Sequence, residues 1–239
     1  MSMLSSLWAD LRALLFPPSC IACGGDVAPS MHGICPMCRY TIPTTNYWTM
    51  AENPTKEHFA GIIPLVQASS FIFFSEHSSW RTLIHRFKYG GEWRIASTLG
   101  AWYGSELRGS GLYDDIDVVV PVPLHYLKLF KRGYNQSTYL AESIAKELGV
   151  AVDTRSVRRV RNNPPQSRST MGERWANVEG LFAVRDAKAL SGKHILIVDD
   201  VLTTGATISS MATAILAAVP DCRISVATLA VARSVDGLR

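Results

Sequence analysis

The stretch from Ile195 to Thr207, Ile-Leu-Ile-Val-Asp-Asp-Val-Leu-Thr-Thr-Gly-Ala-Thr, constrains the fold of this 239-residue chain more than any other. Ile195 to Val198 is an unbroken aliphatic run, the pattern of a strand buried on both faces. Two acids follow, then a small, hydroxyl-rich turn, then a helical run from Ile208 to Ala218. A buried strand that feeds straight into a helix is the building unit of a parallel α/β sheet. The turn exposes successive backbone N–H groups at a helix N-terminus. There the amides of Thr203, Thr204, Gly205, Ala206 and Thr207, the helix dipole and the threonine hydroxyls suit a phosphate monoester. Gly205 permits a close approach that a side chain would block.

The same pattern recurs upstream. Asp117 to Val120 reads as a second buried strand, and Thr138 to Leu148 as a helix with Leu140, Ile144 and Leu148 on one face and Gly149 past its end. Cys222 to Ala230 is a further β-rich run. The expected fold class is therefore α/β, a mainly parallel sheet flanked by helices.

Two carboxylates beside a phosphate would repel it, so Asp199 and Asp200 make sense only where the ligand adds hydroxyls or Mg²⁺ to its phosphate. Ribose 5-phosphate bearing a diphosphate brings both. The segment resembles the 5-phosphoribosyl diphosphate (PRPP) binding motif of type I phosphoribosyltransferases, and it lacks the Gly-Lys-Ser/Thr run of a Walker loop. In that family a loop after an earlier strand grips the diphosphate. Pro121, Val122 and Pro123, followed by Lys128, Lys131 and Arg132, are similar in order and chemistry. The resemblance implies that Asp199 and Asp200 hold the ribose hydroxyls, while Lys131, Arg132 and Mg²⁺ stabilise the departing diphosphate.

Cys20, Cys23, Cys35 and Cys38 follow a C-x2-C-x11-C-x2-C spacing, which folds two knuckles around one tetrahedral zinc. Four thiolates fill the shell, so such a zinc is structural. Two disulfides are the alternative reading, disfavoured in a reducing compartment. Cys222 stands apart and reads as a buried small apolar residue. Before the knuckles, Leu4, Leu7, Trp8, Leu11, Leu14 and Leu15 share one helical face, which Pro17-Pro18 ends. The expected organisation is an amphipathic helix over 1–18, a four-cysteine zinc-ribbon module with its linker over 19–58, and a phosphoribosyltransferase-like domain over 59–239.

Composition bounds the rest. With 47% hydrophobic and 18% charged residues the chain supports a core and is not disordered. No apolar run reaches the ~18–20 residues of a membrane span, and the start lacks the basic leader of a secretory signal, so a cytoplasmic protein is expected. Tyr126 to Arg185 carries eleven Lys/Arg against five Asp/Glu, an excess that suits an anionic partner or a solvated surface.

A narrower resemblance rests on the cysteines, Phe87-Lys88-Tyr89, Val120 to Pro123, Arg132-Gly133-Tyr134-Asn135-Gln136, Gln166, Arg174, Asn177 and the turn from Asp199 to Thr207. They occur in the order of the ComF (ComFC/GntX-like) family of competence-associated proteins, with Tyr134 where that family usually has phenylalanine. It implies a PRPP site that includes Lys88, Asn135, Gln136 and Arg174, and a role in DNA uptake or nucleotide salvage with an acceptor that the residues do not name. Two alternatives stay open: a non-catalytic competence protein binding single-stranded DNA through the basic segment with Tyr134, Tyr139 and Trp175, or a PRPP-sensing regulator.

Overall fold

The computed structural model describes residues 19–28, 31, 33–74, 80, 83, 86–87, 92–161 and 180–232. The N-terminal amphipathic stretch, Lys88, Gln166, Arg174, Trp175 and Asn177 lie outside them. In chain order the named elements are α1 (Pro36–Thr41), a 3-10 turn (Tyr47–Thr49), α2 (Pro54–Glu57), β1 (Ala68–Phe74), α3 (Trp93–Ser110), β2 (Val118–Pro121), α4 (Tyr126–Arg132), α5 (Gln136–Leu148), β3 (Ala151–Val152), β4 (Val157–Arg159), β5 (Phe182–Val184), β6 (His194–Leu202), α6 (Ala206–Ala218) and β7 (Arg223–Ala232). Among the described residues no helix is long and apolar enough to cross a membrane.

Five strands form one wholly parallel sheet in the order β1-β7-β6-β2-β3, and β4 and β5 form a separate antiparallel pair. The aliphatic run of β6 takes the centre because it can be buried on both faces: Ile195, Leu196, Ile197 and Val198 are wholly inaccessible. Successive side chains alternate between the two faces. Leu196 and Val198 pack with Val119, Leu99 and Tyr103 of α3 and Leu140 and Ile144 of α5. Ile195 and Ile197 pack with Val118, Val120 and Ile208, Met211 and Ile215 of α6. The expected parallel α/β sheet with flanking helices is the architecture found. Cys222 is buried in the second of these clusters, and burial raises its thiol.

Four elements differ from the sequence reading. β6 does not stop at Val198 but runs through both acids to Leu202, because Val201 and Leu202 continue the register against Ala230 and Val231 of β7. The basic stretch after β2 is not a loop but the helix α4, with the His125 imidazole accepting from the Leu127 N–H at its start and Gly133 at φ +80° ending it. α5 and α6 each begin two residues earlier than their apolar patterns do, since a helix starts at its cap and not at its first buried side chain.

The helices α3 and α5 approach more closely than side chains normally allow. A methyl group on Gly104 would lie 2.9 Å from the Ile144 Cα and 2.9 Å from the Glu147 Cβ, and one on Gly100 would lie 2.9 Å from the Ser143 Cβ. These two glycines, one turn apart, let α5 settle against α3 and fix where its N-terminus points. Gly104→Ala improves helix propensity by about 1 kcal/mol yet pushes on backbone. Urea unfolding should therefore show a net loss of about 1–3 kcal/mol; a stabilised variant would refute the packing account.

At the opposite end of the sheet from the acids of β6, the wholly buried His194 bridges Asp115 Oδ1 (2.9 Å from Nδ1) and Ser225 Oγ (2.9 Å from Nε2), and Arg223 pairs with Asp115. Burial lowers the imidazole pKa despite the carboxylate beside it. The native state thus binds this proton less readily than the unfolded chain, so stability is full above about pH 6.5 and falls as pH drops below that value. Melting temperature followed from pH 8 to 5 should decline from about 6.5 downward, and His194→Gln should flatten that decline. Parallel curves for the two proteins would show that His194 does not set it.

Candidate functional site

Because every strand of the main sheet runs the same way, the C-terminal ends of β2 and β6 lie side by side. Pro121 pairs with Val198, and the Val122 N–H donates to the Val198 carbonyl at 2.8 Å. The loop after β2 is then tied to the start of α5: Asn135 Nδ2 donates to the Val122 carbonyl (3.1 Å) while Asn135 Oδ1 caps the helix by accepting from the Ser137 N–H (3.2 Å). Ser137 Oγ donates to Asp199 Oδ1 at 3.1 Å, and the same oxygen accepts from the Asp200 N–H at 2.9 Å. One short network therefore joins β2, α5 and the first acid of β6. Gln136 is buried and accepts from Arg132 Nη1 at 3.3 Å.

The turn after β6 is open to the outside. A cleft of about 30 Å³ is lined by Asp199 and by Val201 through Ile208. Gly205 adopts φ +70° as the N-cap of α6, and no side chain caps that helix. The contrast with α5 is instructive. Where Asn135 uses its own oxygen on a first-turn amide, α6 leaves its first-turn N–H groups to whatever enters the cleft. Gly205 is confined from behind as well: a methyl there would meet Phe59 Cε1 at 2.8 Å and His58 Nε2 at 2.9 Å. Those two residues follow α2, which is anchored by the buried Asn53 through its Nδ2 bonds to the Ala68 and Met50 carbonyls.

Positive charge gathers near the acids. Lys128 of α4 has its pKa lowered by burial and by the nearby Arg159 and Arg132, while the burial that lowers Arg159 is opposed by the field of Asp199. Three cations crowded together in part-buried positions are stabilised by an anion among them. Arg159 escaped the sequence reading, as did Ser137. Arg159 is one of several arginines in Val157 to Arg161, and nothing in spacing separates it from its exposed neighbour Arg158. Lys131 lies in α4.

In the N-terminal module, the ligand atoms of Cys20, Cys23, Cys35 and Cys38 all lie within 4.8 Å of one another, with Cys23 Sγ 3.9 Å from Cys35 Sγ. A tetrahedral Zn²⁺ with Zn–S bonds of about 2.3 Å needs sulfurs spaced on this scale, so the four cysteines could bind zinc. All four are unbridged thiols. The Cys35 and Cys38 N–H groups point at the Cys20 and Cys35 sulfurs (3.4 Å each), as thiolate ligands require. Burial works against ionising Cys20, yet backbone N–H groups of Cys23, Cys35 and Ala22 bring its pKa down to about 6. The module rests on the body through Arg86 Nη1 donating to the Ile21 carbonyl (3.1 Å) and the Arg39 guanidinium 4.5 Å over the Trp102 ring.

Residues 135–237 match the phosphoribosyl transferase domain family. The chain is 33% identical over 138 residues to the DNA utilization protein YhgH of Salmonella typhimurium, a match covering 56% of this chain and 60% of that one. It is 23% identical over 201 residues to competence protein F of Haemophilus influenzae, covering 80% and 88%. It is 29% identical over 144 residues to competence protein ComFC of Bacillus subtilis, covering 60% and 56%. The chain is similar to these proteins, and its residues 135–237 match the phosphoribosyl transferase domain. The domain match begins at Asn135, the cap of α5, and takes in β6, the acids and the open turn. The matched region spans about 60% of the length of the YhgH relative.

Protein purified under reducing conditions should carry one zinc per chain by elemental analysis. Cys35→Ser should lose that metal and about 2 kcal/mol or more of stability, seen as a fall in melting temperature of several degrees. A fully metal-free wild-type protein would overturn the four-thiolate site.

Proposed function

We propose that this protein binds PRPP with Mg²⁺ and transfers its phosphoribosyl group, in a pathway that takes up or uses DNA. The observation that carries the reading is the uncapped, open turn from Thr203 to Thr207 directly after two acids, within a phosphoribosyl transferase domain. Free N–H groups and threonine hydroxyls there suit the dianionic 5′-phosphate. Asp199 and Asp200 suit the ribose hydroxyls, with Ser137 and the Asp200 N–H holding the Asp199 carboxylate in place. The loop Pro121–Val122, fixed by Asn135, and the cations Lys128, Arg132 and Arg159 suit the diphosphate. Lys131 belongs to the same helix as the first two, and Lys88, Gln136 and Arg174 complete the residues assigned to the site.

The chemistry asked of these groups is displacement of diphosphate from C1 through a cation-like sugar. The acids favour positive character on the ring, and the basic cluster favours the negative charge that builds on the leaving group. Mg²⁺ carried with the diphosphate would neutralise part of that charge. The names of the relatives support the setting, since the chain is similar to proteins named for DNA utilization and competence.

Calorimetry should detect Mg²⁺-dependent PRPP binding that weakens at least tenfold in Asp200→Asn, and diphosphate should appear when a suitable acceptor is supplied from a nucleobase panel. Wild-type protein that ignores millimolar PRPP would end the proposal. Binding without diphosphate release across the panel would leave a sensor in place of a transferase.

A further inference from the structure

A second, larger cavity lies beside the acids and shares no lining residue with the cleft of the phosphate turn. It measures about 860 Å³, within the ~300–1,000 Å³ range of small-molecule sites. Its lining joins α4, α5 and the turn between them, with Tyr126, Leu129, Tyr134 and Tyr139, to β4 and the residue after β5, with Arg158, Arg159 and Arg185.

The aromatic part of the lining is fixed before any ligand arrives. Tyr134 donates its hydroxyl to the Phe87 carbonyl at 2.6 Å and meets the Tyr139 ring edge-on at 5.7 Å. Tyr139 in turn stacks on Trp93 at 5.8 Å and 26°. A ring entering the cavity would find tyrosine rings that have already lost their rotamer freedom. The rest of the lining is basic: three arginines against the single acid Glu142 among the lining residues. Among the described residues neither Arg158 nor Arg185 forms an ion pair with an acid. Arg159 directs its Nε to the Arg161 carbonyl, with its guanidinium 5.6 Å from the Phe182 ring centroid. Three guanidiniums in one lining match a ligand bearing several negative charges.

We infer that this cavity is a nucleotide site beside the phosphoribosyl turn that packs a base among Tyr126, Tyr134 and Tyr139 and takes its phosphates on Arg158 and Arg185, with Arg159 shared with the diphosphate cluster. The size and the clustering favour a free nucleotide over a nucleic-acid strand. Tyr139 touches both Trp93 and Tyr134, so the rings are clustered, whereas a strand needs aromatic platforms spaced for successive bases. Arg159 and Asn135 are common to this cavity and to the site proposed for PRPP, but ADP binding is measured without PRPP, so the two readings fail separately.

Calorimetric titration of the full chain with ADP, at fixed salt and without PRPP, tests it. One ADP should bind per chain. Arg158→Ala/Arg185→Ala, both at exposed positions, should weaken it at least tenfold with an unchanged melting temperature. Tyr139→Phe, which keeps the ring, should bind ADP normally, and Asp200→Asn should bind it as wild type does. Four results would each overturn the inference: no ADP binding at millimolar concentration, inorganic phosphate binding as tightly as ADP, ADP binding lost in Asp200→Asn and kept in the arginine variant, or oligothymidylate binding that the arginine variant loses while ADP does not bind.

Discussion

The parallel pairing of β2 with β6 is the constraint on which the rest of the molecule depends. Parallel strands release their chains at the same edge, so the loop after β2 and the turn after β6 emerge together although they are about eighty residues apart in sequence. Burial enforces that pairing. Val119 and Val120 and the run from Ile195 to Val198 are all but inaccessible, and neither strand has a polar face on which it could sit at the outside of the sheet. Shifting either strand by one residue would swap the sets facing α3 and α5 with the set facing α6.

The helices complete what the strands begin, and they do so differently at two neighbouring N-termini. α5 is closed by its own Asn135, which also reaches back to Val122, so that this helix end is part of the frame. α6 has Gly205 in the same position and leaves its first turn without a side-chain cap. A helix N-terminus carries partial positive charge, and the protein places this one close after the two carboxylates at the C-terminal end of the central strand. The close seating of α5 on Gly100 and Gly104 of α3 is what brings Ser137 within reach of Asp199. Backbone packing far from the acids thus sets the position of a hydroxyl that touches them.

The four-cysteine module is joined to this frame through a continuous apolar interior. Cys20, Val27 and Ile34 belong to the same buried cluster as Phe71, Leu99 and Leu140. The same interior includes α3, the helix against which α5 is seated.

What the sequence determined by itself was local. Two C-x2-C pairs can close on one metal wherever the chain carries them, and Ile195 to Thr207 spells strand, acids and open turn in consecutive residues, so both were readable without coordinates. Only the tertiary structure decided the rest. Continuing β6 through Asp199 and Asp200 to Leu202 depends on its β7 neighbour, because an acid has no strand preference of its own. Folding Tyr126 to Arg132 into a helix depends on a histidine cap that competes with several loop conformations. Arg159 joined the basic cluster because β4 and β5 pair across a long separation and carry it to Asp199, and a pairing between distant segments leaves no local pattern to read.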